Sequence, residues 1–333
     1  GGQAGMDTSH TSPPRLKLND AALLAYMRTA VPHFPPAIAS LRVTQFGHGQ
    51  SNPTYKVECL LGADHGAGTA PAAATYVLRK KPPGKILASA HAVEREFAVQ
   101  RALAPAHAVP VPRMIALCED VDVLGTPFYL MTFVPGHIFI APGLPALPSP
   151  EHRAAVYDEM AAVLGAIHRV DPAAVGLAGY GKPDNYSHRQ LERWARQYHA
   201  SVTTPEAPVV ALIQWLRAHV PAEEPSGRLV HGDFRLDNLV FASPSGPLGG
   251  GGVTAVLDWE LSTLGAPYSD IAYNCMPYHL PPGREAAAYP SFTSADLPPG
   301  VPSEREYVAK WARASGLPNP MLSGGSCWPF YAA

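Results

Sequence analysis

Apolar positions in the first third of the chain fall in short runs, alternating or continuous, whereas the remainder carries longer runs with a helical period. Residues 18–32 read as a helix, and 41–59 as strand, turn and strand. The turn is rich in Gly, Ser and Asn, which tolerate tight backbone and present N–H groups. "TYVLRKK" (75–81) is β-branched, aromatic and apolar, a strand by composition. A helix follows at 89–103, with Val93 and Phe97 four apart on one face. "VPVPRMIAL" and "TPFYLMTFVPG" read as two more strands, the second ending at Pro135-Gly136.

From there the period changes to 3.6. Residues 149–170 open with Ser149 as N-cap and Pro150 at the first helical position, and Val156, Met160, Val163, Leu164 and Ile167 keep the spacing. Further amphipathic helices are expected at 187–202 and 208–220, with Trp194, Tyr198 and Trp215 as core residues. Two short strands flank the glycine-rich 242–254 loop, and 61–75 is a second such loop. This order predicts an α+β chain in two lobes with a cleft between them, a small antiparallel-sheet lobe over 18–134 and a larger, mainly helical lobe over 135–333. Residues 1–17 read as a disordered tag or leader.

Charge and cysteine usage narrow the function. The 25 basic and 27 acidic side chains give a net charge of −2, against nucleic acid as a partner. No run of 18 apolar residues could span a membrane, and the start lacks the basic and apolar regions of a secretory signal. Cys59, Cys118, Cys275 and Cys327 are scattered without a C-x-x-C pair, which suits an intracellular, reducing compartment. Cytoplasm, peroxisome and mitochondrion stay equally open.

The polar residues cluster in "LVHGDFRLDNLVF" (229–241). Apolar residues alone would make a strand there, so His231, Asp233, Asp237 and Asn238 need another reason. Phosphoryl transfer from ATP needs held phosphates, Mg²⁺ ligated by oxygen and a carboxylate that orients the acceptor hydroxyl. Asp233 and Asn238 stand in the spacing D-x-x-x-x-N, which lets one carboxylate face the acceptor while an amide oxygen ligates metal. Asp258 follows a buried-looking strand in "VLDWE", placed to hold Mg²⁺, which prefers oxygen. Upstream, Gly47, Gly49, Ser51 and Asn52 of "FGHGQSNPTY" would fold over the phosphates. Arg79, with Lys80 as the alternative, would reach them, held by Glu96 as an ion pair. Met131, Thr132 and Val134 would form the hinge that reads adenine. His231 reads as a loop-bracing histidine and Asp237 as a solvent-facing or loop-capping carboxylate. Glu96 paired with a helix-surface arginine is the plainer option.

The motifs "GHGQSNPTY", "YVLRKKPPGKIL", "AHAVEREF", "VPVP", "LVHGDFRLDN" and "VLDWELSTLGAPYSD" together resemble the aminoglycoside phosphotransferase and choline kinase superfamily, which has a protein-kinase-like fold. More narrowly, the chain resembles the kinase-like domain that precedes an acyl-CoA dehydrogenase module in some fusion proteins. The resemblance implies Asp233 as catalytic base or acceptor-orienting carboxylate, Arg235 as a cation aimed at the γ-phosphate, Asn238 and Asp258 as metal ligands, and Asp270 as a brace beneath the loop. It also implies a hydroxyacyl-CoA as acceptor, with a fused or partner acyl-CoA dehydrogenase. Two features depart from the pattern: arginine stands at 79 where most relatives use lysine, and the chain stops at "CWPFYAA", where similar proteins continue into another helix. The chain therefore reads as C-terminally truncated.

Protein-kinase activity is disfavoured: Gly232 replaces the arginine that would read a phosphorylated activation loop, and only eleven residues separate Asp258 from Asp270. Residues 277–302 are instead the expected acceptor wall. Beyond residue 271 acids and bases balance, so no acidic trough for a polycation is expected, while Trp311, Tyr307, Trp328 and Tyr331 are candidates for a choline cage. The readings are an ATP-dependent small-molecule kinase and, as the alternative, a catalytically weak nucleotide-binding or scaffolding module.

Overall fold

The computed structural model describes residues 5–8, 10–47, 52–62, 72–84, 92–106, 109–222, 224–242, 252–283, 289–322 and 327–333. They fall into two compact units, one of 7–136 with 255–260, the other of 1–6, 137–254 and 261–333.

The smaller unit is built on a six-stranded antiparallel sheet. Its spatial order is Thr11–Ser12, Ile38–Phe46, Thr54–Leu61, Ala74–Lys80, Phe128–Thr132 and Met114–Cys118. Side chains of a strand alternate between faces, and here both faces are covered. Tyr55, Leu78, Phe128 and Leu130 join Leu23 and Met27 of helix Asp20–Ala30 on one side. Val77, Tyr129 and Met131 meet Val93 and Phe97 of helix Val93–Leu103 on the other. Burial on both faces explains why "FYLM" is continuously apolar rather than alternating. Each fully buried side chain of this size contributes roughly 1.5–3 kcal/mol.

The same alternation decides between the two basic residues of "LRK". Arg79 is paired with Tyr129 across the strands, on the face that carries Val77 and Met131 and looks toward helix Val93–Leu103. Lys80 points the opposite way, to the Thr126 hydroxyl.

In the larger unit, helix Pro150–Arg169 has Ser149 as N-cap and Pro150 in its first turn. It packs on helix Glu304–Ser315, close enough that a Cβ on Gly165 would lie 2.6 Å from Ala314 Cβ. Helices Tyr186–Ser201 and Ala207–Ala218 follow. A ribbon of Arg228–Val230 and Thr263–Gly265, with Val230 opposite Thr263, carries the polar loop at its end. Phe241 of strand Leu239–Phe241 pairs with His137 of His137–Phe139.

Several expectations need correction. Thr11 and Ser12 pair with Phe46 and Gln45, and Thr8 exchanges hydrogen bonds with Gly136, so the leader contributes ordered structure. The larger unit holds more short strands than the two expected, and three-residue strands lie below what periodicity detects. Residues 255–260, and Asp258 with them, belong by contact to the smaller unit, not the larger. Trp194 and Trp215 are 61% and 38% exposed rather than core. Trp311, Tyr307 and Trp328 are buried in packing and form no open cage. Among the described residues, no helix is long and apolar enough to cross a membrane. Cys59, Cys118 and Cys275 are buried free thiols, and burial pushes Cys59 up to about 11.

Candidate active site

In the larger unit the site is a loop held from below. Asp270, 1% exposed, accepts hydrogen bonds from the backbone N–H groups of His231 (2.6 Å) and Gly232 (2.8 Å). His168 Nε2 lies 3.1 Å from the same carboxylate, while Trp311 Nε1 donates to His168 Nδ1 at 2.9 Å. The Trp311 bond leaves Nε2 as the donor to Asp270. Burial works to raise the Asp270 carboxyl, but the hydrogen bonds from His168 and from the His231 backbone hold it below its ordinary range. His231 is fully buried, and its Nδ1 accepts the Asp233 N–H at 3.2 Å.

Gly232 turns the loop with φ +83°, and a Cβ there would lie 2.7 Å from Leu261 O. This accounts for glycine where protein kinases carry arginine, since a side chain has neither the backbone conformation nor the space. Gly232→Ala is expected to cost about 1–3 kcal/mol, measured as a lower midpoint in urea unfolding with an unchanged slope.

The turn presents Asp233. Its Oδ1 accepts from the Tyr273 hydroxyl at 2.6 Å, with Arg235 Nε at 3.4 Å, and its Oδ2 accepts from Asn238 Nδ2 at 3.1 Å. Asn238 Nδ2 also donates to the Asp233 carbonyl at 2.8 Å. Both amide protons are thus committed, and the amide oxygen is the group left to act as a ligand. Asp237, expected as a solvent-facing or loop-capping carboxylate, is partly exposed and takes Arg235 Nη2 at 2.8 Å.

Tyr273 and Asn274 were not legible as site residues. Asn274 Nδ2 donates to the Phe234 carbonyl at 3.0 Å, and Tyr307 donates to Asn274 Oδ1 at 2.5 Å. Asp270, Tyr273 and Asn274 are spaced i, i+3, i+4 in helix Pro267–Asn274, so one helical face grips the loop at three points. That spacing was the available signal.

A small cavity of about 40 Å³ lies next to this loop, walled by Tyr157, Met160, Met276, Tyr278 and Tyr289, with Arg235 and Tyr273 also lining it. Tyr289 covers the Arg235 guanidinium, 5.5 Å from ring centroid to carbon, and meets Tyr273 edge-on.

In the smaller unit, Arg79 is 6% exposed and faces three carboxylates. Nε is 2.8 Å from Glu96, Nη2 is 2.5 Å from Asp258 and 3.4 Å from Glu260. Burial opposes the charge on Arg79, but Glu96 and Asp258 outweigh it and hold the guanidinium above its ordinary value. Burial pushes Glu96 up to about 7, further than Arg79 draws it down. The helix-surface pairing of Glu96 is excluded, since its side chain is 1% exposed. Asp258 adopts φ +63°, in the left-handed region that aspartate visits more readily than most residues. Asn52 is fully buried and donates to Glu260 at 3.0 Å. Gly47 is exposed, and a Cβ there would meet nothing within 4 Å. Gly49 and Ser51 lie outside the described residues. At the expected hinge, Thr132 exchanges hydrogen bonds with Arg113, so its N–H is taken. Val134, beyond the strand end, keeps both backbone groups without a partner among the described residues.

The profile of the phosphotransferase enzyme family matches residues 42–307, and the chain belongs to that family. By class it is a small-molecule phosphotransferase with a protein-kinase-like α+β fold. An Arabidopsis thaliana protein provisionally named acyl-CoA dehydrogenase IBR3 is 44% identical over 94% of this chain and 37% of its own length. A Ralstonia eutropha structure provisionally described as an aminoglycoside phosphotransferase is 41% identical, with a TM-score of 0.76 over 95% of this chain and 84% of that one. The streptomycin–ATP complex of APH(2″)-IIa shares the fold at 14% identity, with a TM-score of 0.57 over 95% and 87% of the two chains. The chain spans only 25% to 40% of the length of the curated relatives it matches.

Proposed function

We propose that this chain transfers the γ-phosphoryl group of ATP to a hydroxyl of a small molecule, with a hydroxyacyl-CoA as the acceptor. The observation that carries the transfer is the Asp233 carboxylate, held by Tyr273 and Asn238, with Tyr273 and Arg235 also lining the neighbouring cavity. In this reading Asp233 orients the acceptor hydroxyl and takes its proton. Arg235 supplies positive charge beside it, and Arg79, braced by Glu96, supplies it to the phosphates. Val134 offers adenine an open backbone N–H and C=O. The phosphate turn of Gly47, Gly49, Ser51 and Asn52, and Met131 and Thr132 at the hinge, are carried by their motifs.

The donor chemistry fits magnesium. Asn238 has its amide oxygen to spare, and Asp258 brings a second carboxylate to Arg79 beside Glu96, oxygen donors that suit a hard divalent cation. Asn238 and Asp258 are the proposed ligands, and the ion when bound would offset charge on the phosphates.

The acceptor reading rests on the walls of the cavity and on the relatives. Tyrosine, methionine and proline dominate the lining, and its one acid, Asp237, is paired with Arg235. Such a wall suits an apolar chain and not a polycation. Phosphorylating a hydroxyl on an acyl chain would make it a better leaving group for later elimination. That is a use for an acyl-CoA dehydrogenase module, the name that curated relatives bear. The competing scaffold reading is favoured by one observation: Arg79 occupies Asp258 directly.

ADP release from Mg-ATP with a 4-hydroxyacyl-CoA, set against the same acyl-CoA without the hydroxyl, tests the proposal. Release that depends on the hydroxyl is expected. Release with choline or an aminoglycoside instead would overturn the acceptor class. Nucleotide binding with no turnover on any of them would favour the scaffold.

A further inference from the structure

We propose that Tyr273 is a positioning residue that keeps water from using the Asp233 carboxylate, so that ATP is spent on a seated acceptor. This rests on the reading of Asp233 as the group that accepts the acceptor's proton. A kinase faces two competing oxygen nucleophiles, its acceptor's hydroxyl and water at far higher concentration. In both reactions the acceptor oxygen bonds to the γ-phosphorus, the bond from that phosphorus to the bridging oxygen breaks, ADP leaves with that oxygen, and the attacking proton passes to Asp233. Discrimination therefore lies in which hydroxyl reaches the carboxylate.

Three geometric facts place Tyr273 at that choice. Its hydroxyl is 2.6 Å from Asp233 Oδ1, the short distance of an O–H donor on a charged acceptor. The other oxygen, Oδ2, accepts from Asn238 at 3.1 Å. Tyr273 also lines the cavity beside Arg235, so a ligand in the cavity lies against this residue. The phenol keeps its proton: burial, then the hydrogen bond to Asp233, push its ionisation well above the ordinary value. A water molecule brings no binding energy with which to displace this donor. An acceptor held along the walls by Tyr157, Met160 and Tyr278 does, and its hydroxyl can join or replace the phenol on Oδ1. Binding energy remote from the reacting atoms is thereby used at them.

The edge contact of Tyr273 with Tyr289 survives in Tyr273→Phe, which removes one oxygen and keeps the ring. ADP release from Mg-ATP with water as the only acceptor is measured for the unaltered protein, Tyr273→Phe, and Tyr273→Phe with Asp233→Asn. Losing a hydrogen bond to a charged group is expected to raise idle hydrolysis about tenfold or more in Tyr273→Phe. The double variant should return it to the unaltered rate or below. With 4-hydroxyacyl-CoA present, the number of acceptors phosphorylated per ADP should fall. Idle hydrolysis in Tyr273→Phe at or below the unaltered rate overturns the proposal. So does a rise that persists in the double variant. Calorimetric titration with Mg-ATP separates the two levels. If nucleotide binds and acceptor-dependent release survives, Tyr273 alone has been misread. If no nucleotide binds, the underlying function falls and this inference with it.

Discussion

Asp233→Ala is expected to lower acceptor-dependent ADP release by about 10²–10⁴-fold, with Mg-ATP binding unchanged. The side chain is 22% exposed, so its removal leaves no large apolar cavity. The loop backbone is fixed independently by Asp270 on His231 and Gly232 and by Asn274 on Phe234, and its shape should survive. The loss should appear in kcat rather than in the KM for ATP, because the carboxylate acts on the acceptor hydroxyl. Steady-state kinetics with both substrates varied, beside calorimetric titration with Mg-ATP, separates the two. A KM effect with kcat preserved would move Asp233 from the reaction to nucleotide binding.

Arg79→Ala should be the most destabilising change in the smaller unit. It removes a cation shared by Glu96, Asp258 and Glu260 and takes from the buried Glu96 carboxyl its ion-pair partner, an effect of about 3–5 kcal/mol. Glu96→Gln, which keeps the shape and discards the charge, should cost less. The pH dependence follows from Glu96. Its folded value, about 7, lies above the ordinary 4.5, so the folded chain binds more protons between those values. Stability from Glu96 is therefore fully present below about 4.5 and is lost as pH rises through about 7. Without Arg79 the carboxyl moves further up. The variant should be weakest relative to the unaltered protein in alkaline buffer and regain ground toward pH 5. Urea unfolding at pH 5.5 and pH 8 tests this, and a larger deficit at pH 5.5 would contradict it.

Much of the architecture was legible because its signals are local. The Ser149-Pro150 start of a 20-residue helix needs only neighbouring residues to be read. The choice between Arg79 and Lys80 turns on strand parity, which the sequence holds but only the cross-strand partner resolves. Other features depend on contacts distant in sequence. Residues 255–260 pack with the smaller unit although they follow it by more than a hundred residues, and no local pattern encodes that. Helix Tyr186–Ser201 offered Trp194 as a core residue because aromatics usually are, yet the tryptophan faces outward. Tyr273 was hidden for the opposite reason: in "SDIAYN" it looks like one more buried ring, and its hydroxyl matters only through a carboxylate forty residues upstream.

The three-point grip of helix Pro267–Asn274 has a kinetic meaning. Loops generally open first, in small fluctuations that leave the core intact. The amides of His231 and Gly232 end instead on a carboxylate sealed between His168 and the chain, and Asn274 ties the next turn to Tyr307. To release this loop, helix Pro267–Asn274 and its neighbours must let go together. The chemical floor of the cavity thus opens only together with this helix, and any breathing that admits a bulky molecule is left to the walls.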